Sequence, residues 1–112
     1  MWKLVGVFSL AALVVLGSTV LAQNSGPYQV YGQGHTSCGT WVTEHATNSP
    51  NAAAQLAWVL GFVSGYGYTR PGELNETGPD AVTAWIGNYC QAYPLESLAS
   101  ATGTMVHELR LK

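Results

Sequence analysis

Ser49-Pro50-Asn51-Ala52-Ala53-Ala54-Gln55-Leu56-Ala57-Trp58-Val59-Leu60-Gly61-Phe62-Val63-Ser64-Gly65-Tyr66-Gly67 is the stretch on which the fold turns. Its first two residues are a start signal. A serine oxygen can satisfy an orphan backbone donor at a helix N-terminus, and proline, with no N–H of its own, fits the first helical position. Helical spacing then sorts the apolar residues into three stripes: Trp58, Phe62 and Tyr66; Leu56, Val59, Leu60 and Val63; and the small residues Ala53, Ala57, Gly61 and Gly65. A helix from Pro50 to about Gly67 that is apolar on nearly every side is expected to lie in the middle of the fold. Glycine costs a helix interior about 1 kcal/mol against alanine, so Gly61 points to a neighbouring backbone packed close to that stripe, while Gly65 fits either such packing or fraying near Gly67.

Working outward, Ser37 is expected to cap a short helix from Cys38 to about His45, with Cys38, Trp41 and Val42 on one face, ended by Thr47-Asn48. Tyr68 to Pro79 carries Pro71-Gly72, Asn75 and Gly78-Pro79 without apolar periodicity, and reads as the main loop. Pro79, with Asp80 at the positive end of the helix dipole, opens a third helix to about Gln91. Its buried face is expected to hold Val82, Trp85, Ile86, Tyr89 and Cys90. Pro94 starts a fourth helix to about Leu109, with Leu95, Leu98, Ala99, Thr102, Val106 and Leu109 turned inward. No segment alternates with the period of a strand. The expected fold is all-α: a small four-helix bundle spanning 37–112.

Ahead of it, Gln23 to Thr36 has no period and reads as a flexible or extended lead-in. Met1-Trp2-Lys3, the apolar run Leu4 to Leu16 and the small-residue end Val20-Leu21-Ala22 read as a signal peptide over 1–22, cleaved after Ala22. A retained membrane helix is the alternative reading of the same run. Export places the chain's two cysteines, Cys38 and Cys90, in an oxidising compartment, where such a pair becomes a disulfide. Closing a ring of roughly 50 residues removes chain entropy worth on the order of 4 kcal/mol from the unfolded state. A zinc site is the competing use of Cys38 with His35, but it needs four ligands in a paired pattern and two are missing.

Composition excludes some functions. Of 112 residues, 9% are charged and 47% hydrophobic, and four Lys and Arg cannot line a phosphate groove, so nucleic acid is not an expected partner. Chemistry is scarce too. Ser64 misses the nucleophile pattern by one position and lies inside a helix, and Gly32-Gln33-Gly34 lacks the third glycine of a dinucleotide loop. His35, His45 and His107 fall on separate elements with no metal-binding spacing. No catalytic residue, cofactor site or metal site is assigned, and the chain is expected not to be an enzyme. Asn75-Glu76-Thr77 fits the N-glycosylation pattern and is left unassigned. Tyrosines in loops and at helix ends, Tyr28, Tyr31, Tyr66, Tyr68 and Tyr93, favour binding, since an amphipathic ring contacts a partner at low entropy cost. The candidate contacts are Trp58, Phe62, Tyr66, Tyr68, Arg70 and Glu73.

Cys38, then Trp58-x-x-Gly61-Phe62-x-x-Gly65, then Tyr89-Cys90-x-x-x-Pro94-x-x-x-Leu98-x-x-Ala101, resembles the small exported two-cysteine helical proteins of the HdeA/HdeB type. The same residues are similar to the periplasmic immunity proteins that protect bacteria against type VI secretion effectors. The likeness covers about Ser37 to Leu109. It implies an all-helical fold, a Cys38–Cys90 disulfide, a periplasmic location, dimerisation and no cofactor. Through the first group it implies an acid-stress holdase that captures unfolding clients on the apolar helix at low pH. Through the second it implies a stoichiometric inhibitor whose loop, with Tyr68, Arg70 and Glu73, plugs an effector. Either way the expected partner is a protein, with no membrane contact once the signal is removed.

Overall fold

The computed structural model describes residues 28–111, so the expected signal peptide and the expected cleavage after Ala22 lie outside the described residues. Within them the chain is all-α, with a 3-10 turn over Gly32–His35 and four helices: α1 Cys38–Ala46, α2 Pro50–Thr69, α3 Pro79–Ala92 and α4 Leu98–Leu109. Cys38 and Cys90 form a disulfide that ties the start of α1 to the end of α3 across 52 positions of sequence. The caps are those the local chemistry predicts. Ser37 Oγ accepts from Thr40 N and Ser49 Oγ from Asn51 N, while Pro50 and Pro79 occupy first-turn positions. Asn48, at φ 57°, takes the left-handed conformation that lets the chain reverse between α1 and α2.

The core is where α1, α3 and α4 meet. Cys38 and Trp41, then Val82, Ile86 and Cys90, then Leu98, Ala101 and Met105 enclose one cluster, to which α2 contributes only Val59 as a fully buried apolar residue. The expectation that α2 lies in the middle is therefore corrected. It packs by one side, Gln55 and Val59 buried with Leu56, Leu60 and Val63 half covered, and it leaves the other side bare. Ala53, Ala57, Gly61 and Gly65 all face solvent, and a Cβ added at Gly61 or Gly65 meets nothing within 4 Å. The small stripe marks no close packing inside this fold. An all-round apolar pattern reports which faces lack charge, and three neighbouring helices were too few to cover them all.

A second correction falls at Pro94. The fourth helix begins four residues later, at Leu98, because the intervening turn has other work. The carbonyls of Pro94 and Glu96 accept the backbone N–H groups of Gly39 and Cys38 at 2.9 and 2.8 Å, two of the donors that the first turn of α1 leaves orphaned. Those carbonyls can point at α1 only if residues 94–96 are not helical. Ser97 then caps α4 through Ser100 N, and Thr36 O accepts from Leu98 N at 2.7 Å. Leu95, expected inward, is consequently 98% exposed, whereas Leu98, Ala99, Thr102 and Val106 are buried as expected.

The lead-in contains a regular turn where none was expected. Its 3-10 segment lies on α2 with Gly34 buried against the Trp58 indole, and Trp58 Nε1 donates to Tyr31 O at 2.6 Å. A Cβ on Gly34 would sit 2.3 Å from the Trp58 ring and 2.6 Å from Val30 Cγ1. The indole is pinned at its nitrogen and cannot retreat easily. Gly34→Ala is expected to cost about 2 kcal/mol, the range for overfilled sites, and to raise hydrogen exchange at Tyr31 to Thr36 before the rest of the domain.

Candidate protein-binding surface

The six candidate contacts divide between two places, one midway along α2 and one at its C-terminal end and the loop beyond. Trp58 and Phe62, one turn apart, have ring centroids 5.6 Å apart, and the Tyr28 ring lies 6.0 Å beyond Phe62. Sequence reasoning noted Tyr28 but gave it no place in the site; its contact comes from the lead-in running back along α2. Partial burial there pushes the Tyr28 phenol above its ordinary value by desolvation. Trp58 is largely spent inside the protein, holding the lead-in, and so is a structural anchor more than an open contact.

The second place is the C-terminal end of α2 and the loop that follows. The Arg70 guanidinium lies over the Tyr66 ring at 5.2 Å from its centroid, and its Nη1 stands 3.9 Å from Glu73 Oε2. Arg70 is the C-cap residue, so its side chain folds back along the helix where Tyr66 stands one turn earlier. Beyond it the loop is tied to the end of the chain. Asn75 N and Nδ2 both donate to Leu109 O, at 2.8 and 3.1 Å, and Leu111 N donates to Glu73 O at 2.8 Å. Tyr68, expected in the loop, lies instead in the last turn of α2 and is 87% exposed. Tyrosine and arginine are the residue types enriched in binding hot spots, and this helix end presents both.

The remaining named residues are placed elsewhere. Ser64 is exposed on the bare side of α2. His35 bonds Val30 O through Nε2, His45 stacks on Trp41 with centroids 3.7 Å apart and bonds Trp41 O through Nδ1, and His107 is exposed. On the far side of the fold Trp85, Tyr89 and Tyr93 form a row along α3, with centroid spacings of 5.4 and 4.8 Å, and Trp85 Nε1 donates to Glu108 Oε2 at 2.9 Å. The expectation that Trp85 and Tyr89 are buried is met only in part, since both are half covered. A shallow hollow of about 260 Å³ lies at the α3–α4 connection, lined by Tyr93, Pro94, Leu95 and their neighbours, and includes none of the candidate contacts. No helix among the described residues is long and apolar enough to cross a membrane.

These features define a class by structure: a small disulfide-stapled helical domain with an uncharged solvent-facing helix ending in a tyrosine-arginine surface. No protein-family model matches the chain, and no curated protein or solved structure matches it either.

Proposed function

We propose that the protein is an exported, non-enzymatic, protein-binding protein of the periplasm, and that it blocks a cognate effector stoichiometrically in the manner of type VI secretion immunity proteins. The observation that carries this reading is the end of α2, where Tyr68 is exposed to solvent and Arg70, two residues on, lies over the Tyr66 ring. Stacking of Arg70 on Tyr66 before contact reduces the entropy that this side chain loses on binding. The formed Cys38–Cys90 bond supports export, because such bonds persist in oxidising compartments. The bare side of α2 supports contact with a folded partner more than capture of unfolded chains. It offers alanine, glycine and serine, while the larger Leu56, Leu60, Val63 and Phe62 are half covered.

The test is to direct the chain to the periplasm of a bacterial host that also exports a toxin-like effector, chosen from any found encoded beside its gene. Rescue of growth and a one-to-one complex are expected. Tyr68→Ala is expected to weaken that complex about 10- to 100-fold while leaving the melting temperature within about 2 °C, since the ring touches little of its own fold. Growth arrest with both proteins present would overturn the inhibitor reading. Unchanged affinity in the variant would move the contact away from α2.

A second reading, the HdeA-like acid-stress holdase, is favoured by a separate observation. One of the six carboxylates ties two helices through a partner that can only donate: Glu108 accepts from the Trp85 indole between α4 and α3. Protonating the carboxylates and charging the three histidines takes the chain from Gln23 onward from a formal −3 to about +6, which opposes compactness. Opening would then present the core side of α2 to clients. The oxidised protein from Gln23 onward, followed from pH 7 to pH 2 for compactness, association into dimers and suppression of client aggregation, decides it. A chain that stays folded and inert throughout excludes the holdase.

A further inference from the structure

Gln55 is one of two polar side chains enclosed by the core among the described residues, only 1% exposed, and its two ends are treated differently. Nε2 donates to Glu44 Oε2 at 2.6 Å, whereas the enclosed Oε1 has no hydrogen-bond partner. The other carboxylate oxygen, Glu44 Oε1, accepts from the exposed side chain of Asn51 at 3.2 Å. An ionised carboxylate only accepts, so it fixes the amide with its nitrogen toward Glu44 and strands the amide oxygen. A protonated carboxyl differs in kind. It presents a donor and an acceptor side by side, the complement of a primary amide.

We infer that Glu44 and Gln55 form a proton-operated latch between α1 and α2 that holds in acid. When Glu44 takes a proton from solvent on Oε1, that oxygen gives up Asn51 and donates its O–H to Gln55 Oε1. Oε2 keeps the bond from Nε2. One exposed bond is exchanged for one that satisfies a buried orphan, and the joint between the helices closes into a two-bond ring. A protonated Glu108 can still accept from Trp85 through its carbonyl oxygen, but it loses the charge that strengthens the bond and gains no second one, because an indole nitrogen donates only. Acid therefore weakens the tie between α3 and α4 and leaves α1 joined to α2.

The surroundings permit this. Facing Glu44 from α2 are the amides of Asn51 and Gln55, and α2 carries no charged side chain. On α1 itself the neighbouring His45 turns its ring onto Trp41 and bonds Trp41 O. The helices α3 and α4 bring Asp80, His107 and Glu108 as their charged or titrating groups besides Tyr89, and among the described residues no Arg or His nitrogen lies within ion-pair distance of Glu44.

The test is carried out on the oxidised protein with labelled side-chain amides. Exchange of the Gln55 NH2 group is compared with that of the Trp85 indole N–H, while the Glu44 carboxyl resonance reports its own protonation from pH 7 to about pH 3. After correction for intrinsic rates, Gln55 protection is expected to hold or rise at least about threefold as Glu44 protonates, while Trp85 protection falls and the Asn51 amide shifts toward its solvent-exposed position. Glu44→Gln, which has a donor and an acceptor at every pH, is expected to show at pH 7 what the wild type shows in acid. Loss of Gln55 protection in step with Trp85, loss of α1 before Glu44 protonates, or weaker Gln55 protection in Glu44→Gln than in the wild type at pH 7 would each overturn the latch.

Discussion

Replacing Cys38 and Cys90 together with alanine is expected to lower stability by about 4 kcal/mol, the entropy released to the unfolded chain when a loop of this length is no longer closed. For a domain of this size the change corresponds to a fall in melting temperature of about 20 °C, which is most of the margin that small domains possess. The effect is large because of where the bond lies. Both cysteines are fully buried, and Cys38 opens α1, whose first two backbone donors are already given to Pro94 and Glu96. The covalent tie and these hydrogen bonds hold the same corner. Chemical reduction of the wild type should lower the melting temperature by a similar amount. A double variant melting within a few degrees of the oxidised protein would show that the helices hold that corner without the bond.

Trp41→Ala is expected to cost about 3 to 5 kcal/mol, the range for deleting a fully buried large aromatic side chain. Trp41 and Cys38 are the two buried residues of α1, so the substitution removes most of what that nine-residue helix packs with. It also strips His45 of the ring on which it stacks at 3.7 Å. Trp41→Phe retains an aromatic face toward α3 and is expected to recover more than half of the loss. Denaturant unfolding of the three proteins measures both numbers. A Trp41→Ala cost below about 1 kcal/mol would mean that α1 is held by the disulfide alone.

The two predictions bear on how much of this molecule could be read in advance. Local chemistry was legible. Ser37 and Ser49 cap the helices their positions predict, Pro50 and Pro79 sit in first turns, and the ends of α1 and α3 fall within a residue of expectation. Each of these depends on a few neighbouring residues and on backbone groups that any helix start leaves unpaired. The contents of α3 were legible as well, because Val82, Ile86 and Cys90 recur at the helical period while polar residues fill the opposite side. Pro94 deceived for the same kind of reason. It has the chemistry of a helix start, but the carbonyl groups around it were claimed by α1, some 55 residues earlier in the chain.

The candidate surface was legible in part. Tyr68, Arg70 and Glu73 drew notice as exposed loop chemistry, and the structure places Arg70 between Tyr66 and Glu73. That Tyr28 would join Phe62, and that the lead-in would spend Trp58 on its own anchoring, had no signal beyond the close-packing glycine at position 34. The pairing of Glu44 with Gln55 was equally silent, since residues 11 apart on different helices share no period.

By itself the amino-acid sequence determined which segments are helical, where most of them begin and end, and that two cysteines separated by 52 positions could staple them. Those properties follow from spacing, caps and side-chain chemistry within a turn or two of chain. Tertiary structure alone decided which side of α2 is covered, that Leu95 faces solvent, and which polar atom of Gln55 goes without a partner. An apolar residue is driven out of water by any neighbour that will cover it, and nothing local says which neighbour arrives.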